Sequence, residues 1–159
     1  MNPEMLNEVL LENLDEALNA RDGQGWFDGL FSTLEQLDAA TASRLPATGR
    51  SSIAAHCEHL RYVLEIVNAW VKLEKPQPDW SLAWETSSVN ADQWDALKTA
   101  SQTECEALKA FIKANTEWNP KLLNLLMSNT SHFAYHIGAI RQIWMLVREQ
   151  QSATPLGER

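Results

Sequence analysis

Apolar residues recur every three or four positions along nearly the whole chain, a period that specifies helices and leaves little room for strands. Met5, Leu6, Val9, Leu10, Leu14 and Leu18 form the first stripe, with Asn2 placed to cap it and Pro3 at its first turn. Gly23 and Gly25 break the chain. A second helix is predicted over about 26–43, with Phe27, Leu30, Phe31, Leu34 and Leu37 facing inward, closed by the turn from Leu45-Pro46 to Gly49. The third starts at Ser51 or Ser52 and reaches about Glu74, carrying Ile53, Leu60, Val63, Leu64, Val67 and Val71. A fourth begins at Asn90, where Gln93 has capping-box spacing, and carries Trp94, Leu97, Leu108 and Ile112 to about Asn115. Asn119-Pro120 opens the last, which runs through Leu122, Leu126, Phe133, Ile137, Ile140, Ile143 and Leu146 to about Gln151, after which the tail is expected to fray. No run alternates polar and apolar residues for long. The fold expected is all-α: an antiparallel four-helix bundle with an additional N-terminal helix.

A chain of 159 residues is one domain and can bury a full core without staples. The net charge of −8, with no basic cluster, disfavours contact with phosphate backbones and excludes nucleic acid as the expected partner. No apolar run is long enough to span a membrane, and the acidic start lacks the basic and apolar regions of a secretion signal, so a cytoplasmic location is expected. Cys57 and Cys105 lie inside helical patterns and are expected to be reduced and buried. The segment from about 75 to 89, with Pro76, Pro78, Trp80 and Trp84, is long for a bundle connection, and such connections are often functional.

The histidines are the most informative residues. All four fall in two close groups, His56 with His59 and His132 with His136, each on a predicted long helix. Residues four apart on a helix share a face, with Cβ atoms about 5–6 Å apart. Two imidazoles at that spacing can converge on one ion, with bonds of about 2.0–2.1 Å for zinc. A facing helix must supply the third ligand, and His56 or His59 can do so. Phe133, Ala134 and Tyr135 stand between the later pair, so the acidic base of a zinc-protease HExxH helix is missing. The competing account is that each histidine is a core residue hydrogen-bonded to a carbonyl.

The segment from Ser131 to Ile143, containing His132, Tyr135, His136, Gly138, Ile140 and Arg141, resembles the H-x-x-Y-H-x-G-Q-I-R signature of the DinB/YfiT-like family of metal-dependent proteins. Ser52-Ile53 with His59-Leu60 resembles the family's upstream S-I-x(5)-H-[LI] segment, and Trp80, Trp84 and Trp94 are spaced like its Trp-rich stretch. The resemblance covers about residues 20–150. It implies a DinB-like four-helix bundle in which His59, His132 and His136 hold a divalent ion completed by water. Zinc, nickel and iron all suit neutral imidazoles. Two departures stand out. Ala139 replaces the family's Gln, and His56 is an extra histidine. Periodicity points His56 nearer the core centre, whereas the motif selects His59, and the motif is followed here.

By the same resemblance the activity would be thiol S-transferase-like, with a low-molecular-weight thiol as cosubstrate, or hydrolase-like, on a small molecule. The alternative is a non-catalytic helical binding or stress-response module whose metal is structural or absent. A fourth protein ligand such as His56 would favour that alternative by closing the site. A homodimer is the default oligomer, with the apolar first helix as its expected interface. Among neighbouring residues, Tyr135, Trp80 and Trp84 are expected to pack more than to line a pocket. Gly138 is expected to permit close helix approach and Cys57 to be structural. Arg141 is equally suited to a substrate carboxylate and to an acidic partner on another helix.

Overall fold

A computed structural model describes residues 2–21 and 25–153. These residues form six α-helices and one short 3-10 helix, with no strand among them. Gly23 and the tail beyond residue 153 lie outside the described residues. Helix α1 spans Pro3–Asn19, and the Asn2 side chain accepts from the Glu4 amide at 2.9 Å, as the sequence predicts. Its stripe is buried at Leu14 and Leu18, while Met5 and Val9 stay exposed. Asn7 fastens the exposed end: its amide donates to the Asn115 carbonyl at 2.9 Å, and its oxygen accepts from the Trp118 indole at 2.9 Å.

The helix expected over 26–43 does not form as one element. Two short helices replace it, α2 at Leu30–Leu34 and α3 at Ala39–Ala42. The break is local chemistry. The Asp38 carboxylate accepts from the Thr41 amide at 2.7 Å and starts a new helix, a competition that side-chain caps win over helix propagation. Leu30, Phe31, Leu34 and Leu37 are buried as expected, but Phe27 is partly exposed and Trp26 is 93% exposed. Gly29 lets this segment cross the end of α1. Its amide donates to the Ala20 carbonyl at 2.7 Å, and a Cβ there would lie 2.6 Å from the Asn19 nitrogen and 2.6 Å from the Leu18 carbonyl carbon. Backbone atoms cannot yield as side chains do. Gly29→Ala is therefore expected to cost at least the ~1–3 kcal/mol of core overpacking, read as a lower urea midpoint with an unchanged slope. Wild-type stability in this variant would refute the close approach.

Helix α4 spans Ile53–Val71, capped by Ser52, whose hydroxyl accepts from the Ala55 amide at 3.1 Å and donates to the Ser87 carbonyl at 2.7 Å. Helix α5 spans Ala91–Ala114 and carries the predicted capping box, with Asn90 and Gln93 exchanging two 2.9 Å bonds. Helix α6 spans Pro120–Ala153 and is capped by Asn119, which accepts from the Leu122 amide at 3.0 Å. Helix α4 packs against α5 and α6, and α1 packs against the same two. Leu14, Leu18, Leu60, Leu64, Trp94, Leu108, Phe133 and Ile137 belong to one core. No helix among the described residues is long and apolar enough to cross a membrane.

The connection between α4 and α5 is tied down along its length. Tyr62 accepts from the Asp79 amide at 3.0 Å and meets the Trp80 ring edge-on, and Ser43 accepts from the Val89 amide at 2.9 Å. These contacts deliver the 3-10 helix Leu82–Trp84 to α4, over the face that carries the histidines.

Candidate metal centre

Helices α4 and α6 bring all four histidines together. His56 meets His136, and His59 meets His132, so the two helices run antiparallel through the site. The Nε2 atoms of His59 and His132 are 3.2 Å apart, and those of His132 and His136 are 3.0 Å apart. Ligand nitrogens of His59, His132 and His136 all lie within 4.8 Å of one another, and no carboxylate or thiol belongs to the group. His59 and His136 are buried, whereas His56 and His132 are partly exposed.

Hydrogen bonding alone does not account for this convergence. An imidazole nitrogen offers in its ring plane either one proton or one lone pair. The Nε2 of His132 therefore cannot make full hydrogen bonds to both neighbours. A cation at the convergence point would accept three lone pairs at once. A tetrahedral ion with bonds of about 2.0–2.1 Å has ligand–ligand edges of about 3.3–3.4 Å, close to the spacings found. The residues present thus fit a divalent ion with three protein ligands.

His56 is placed differently. Its Nδ1 lies 2.8 Å from Nδ1 of His136, across that ring from the convergence point. It neither replaces His59 nor joins it in the three-histidine group. Trp84 covers the site: its ring stacks on His59 with centroids 4.3 Å apart and meets His56 edge-on at 5.3 Å.

Burial favours the neutral rings. Desolvation, with the neighbouring His132, His59 and His56 adding to it, pushes His136 down to about 3. Desolvation, then His132 and His56, pushes His59 down to about 4. Burial lowers His56 and His132 as well. Lone pairs are therefore available at neutral pH, as metal binding requires. A linkage prediction follows from the direction. The unfolded chain takes up protons near the ordinary value of 6.5, while the folded chain resists until about 4 and 3. Stability of the metal-free protein should be complete above about pH 6.5 and decline as pH falls below it. Carboxylates stay largely ionised above about pH 5, so urea midpoints between pH 6.5 and 5 isolate the histidines. A flat midpoint across that window would contradict neutral, desolvated rings.

Other candidates separate clearly. Arg141 pairs with Asp28 at 2.6 Å, so it serves as a structural tie to the segment before α2. Tyr135 was expected to pack but is 71% exposed, touching His136 only edge-on at 5.0 Å. Gly138 was expected to allow close helix approach, yet it is exposed, and a Cβ there would meet nothing within 4 Å. It lies on the outward face of α6. Cys57 and Cys105 are buried and unpaired, as expected. Burial raises both thiols, Cys105 to about 12, so neither is a ready thiolate.

Sequence reasoning underrated Trp84, because a loop residue has no periodic address. It also missed Asn129, buried with neither side-chain polar atom hydrogen-bonded within the protein. Its position seven residues before His136 on the same helical face was the available signal. A cleft of about 380 Å³ lined by Pro46, Arg50, Ile143 and Leu146 reaches His56. A larger cleft of about 880 Å³ beside Trp70, Leu73 and Leu122 has no histidine in its lining. No family model, curated protein or solved structure matches this chain.

Proposed function

We propose that this chain is a metal-dependent enzyme in which His59, His132 and His136 hold one divalent ion, zinc, nickel or iron. The observation that carries this reading is the meeting of three imidazoles, with Nε2 spacings of 3.2 and 3.0 Å that one nitrogen of His132 cannot satisfy with hydrogen bonds to both neighbours. The DinB/YfiT-like pattern around the same three residues supports it. The mutual packing of α1, α4, α5 and α6 is consistent with an antiparallel four-helix bundle. In that bundle α1 takes one of the four places, because the 26–43 segment is broken.

When bound by three neutral ligands, such an ion makes a coordinated water or thiol more acidic. The chain's own residues set the surroundings. His56 sits on the outer nitrogen of His136, and among the described residues no fourth His, Cys, Asp or Glu joins the three-histidine group. The Trp84 ring shields one side of His59 from water. Thiol transfer from a low-molecular-weight thiol to a small electrophile is the reaction favoured over hydrolysis. That preference follows from the resemblance to the DinB/YfiT-like family alone, and the chain's two cysteines are too buried to be the nucleophile. Any reacting thiol must then come from outside.

The test is elemental analysis of untagged protein purified without chelator, followed by a screen of small thiols with electrophiles. About one equivalent of zinc, nickel or iron per chain is expected. Absence of metal even after reconstitution would overturn the reading.

A further inference from the structure

We propose that His56 is a positioning residue of the metal centre: its Nδ1 accepts a hydrogen bond from the Nδ1–H of His136 and holds that ring with Nε2 toward the ion. The inference rests on the metal reading above and goes beyond it to a residue outside the three-histidine group. A neutral imidazole that coordinates through Nε2 carries its proton on Nδ1. In His136 that Nδ1 lies 2.8 Å from Nδ1 of His56, which must present a lone pair to it. The tautomers are thereby assigned. His136 is protonated on Nδ1, and His56 is protonated on Nε2.

Ligating histidines usually donate this outer proton to a carboxylate, a backbone carbonyl or water, and the partner fixes the ring's orientation. Here an imidazole takes that place. Within the described residues, His59 and His132 have no hydrogen bond on Nδ1, so His136 is the one ligand ring with an outer protein partner. His56 is itself held in place. It stands one turn before His59 on α4, and Trp84 meets its ring edge-on at 5.3 Å. One aromatic residue thus packs on both a ligand and the ligand's support.

The test measures zinc affinity by competition with a chromophoric chelator for wild type, His56→Ala, His56→Asn and His56→Gln. His56→Ala should still bind one equivalent, but about 10–100-fold more weakly. His56→Asn should recover most of the loss, because its amide oxygen falls near the position of Nδ1. His56→Gln reaches toward the position of Nε2 and should not. Wild-type affinity in His56→Ala, or equal rescue by Gln, would overturn the proposal. So would complete loss of binding in His56→Ala with retention in His59→Ala, which would make His56 a ligand. If wild type itself binds no zinc, the metal reading falls, and this proposal falls with it.

Should the variants fold poorly, long-range proton–nitrogen correlations on zinc-loaded wild type decide the matter, with only four histidines to assign. A proton on Nδ1 of His136 and on Nε2 of His56 is expected. A proton on Nδ1 of His56 would overturn the assignment.

Discussion

Replacing His132 with alanine is expected to weaken zinc binding by about two to three orders of magnitude, so that the purified variant no longer retains its equivalent of metal, with the helical circular dichroism intact. His132 stands at the centre of the group, 3.2 Å from His59 and 3.0 Å from His136 through the same nitrogen. Structural zinc sites release about 10–16 kcal/mol through four ligands, or roughly 2.5–4 kcal/mol per ligand. Loss of one ligand of three should therefore weaken binding by about two to three orders of magnitude. The fold should survive, because the ring is partly exposed and lies outside the apolar core.

Calorimetry supplies an independent readout. Free zinc at a thousand times its dissociation constant should stabilise the wild type by about 4 kcal/mol, and the variant at the same free zinc by only about 0.4–1.4 kcal/mol. Unchanged stoichiometry in His132→Ala would sink the site. An unfolded variant would place the histidine in the core, which its exposure contradicts.

The second large effect concerns the fold. Trp94→Ala is expected to cost about 3–5 kcal/mol, a large part of the 5–15 kcal/mol that holds a typical domain together. Trp94 is 2% exposed, and its indole donates to the Leu37 carbonyl at 2.9 Å. It therefore joins α5 to the turn between α2 and α3, a segment with little helix of its own. Truncation opens a cavity and leaves that carbonyl without a donor, an added cost of about 1–3 kcal/mol if water cannot reach it. Trp94→Phe separates the two terms, since it restores most of the volume but not the hydrogen bond. Urea unfolding of both variants should rank wild type above Phe and Phe above Ala. Equal stability of Phe and wild type would show that the indole hydrogen bond contributes nothing.

Helix starts were legible because capping is local. Asn2, Ser52, Asn90 and Asn119 each accept from an amide within three residues, and each does so in the structure. The 26–43 segment was misread for a related reason. Its apolar spacing suits a helix, and the spacing did place Leu30, Phe31, Leu34 and Leu37 inside. Periodicity could not weigh Asp38 as an internal cap, or register that Gly29 must lie against the end of α1. The first is a competition between two local options, and the second is a contact with another helix.

The histidine site divides in the same way. That His132 and His136 share a face follows from 3.6 residues per turn, and the motif around His59 named the third member of the group. Which nitrogens meet, and that His56 turns to the far edge of His136, depends on the antiparallel register of α4 against α6. Register is set by packing of both helices on one core, and no single helix contains that information. Trp84 is decided at the same level, since only the folded connection lays its ring over His59. The pattern of residues along the chain thus determined the long helices, their caps and the shared face of His132 and His136, because these depend on neighbours within one or two turns. Tertiary structure alone decided the close approach at Gly29, the cover by Trp84 and the outer placement of His56, because each depends on residues brought together from distant parts of the chain.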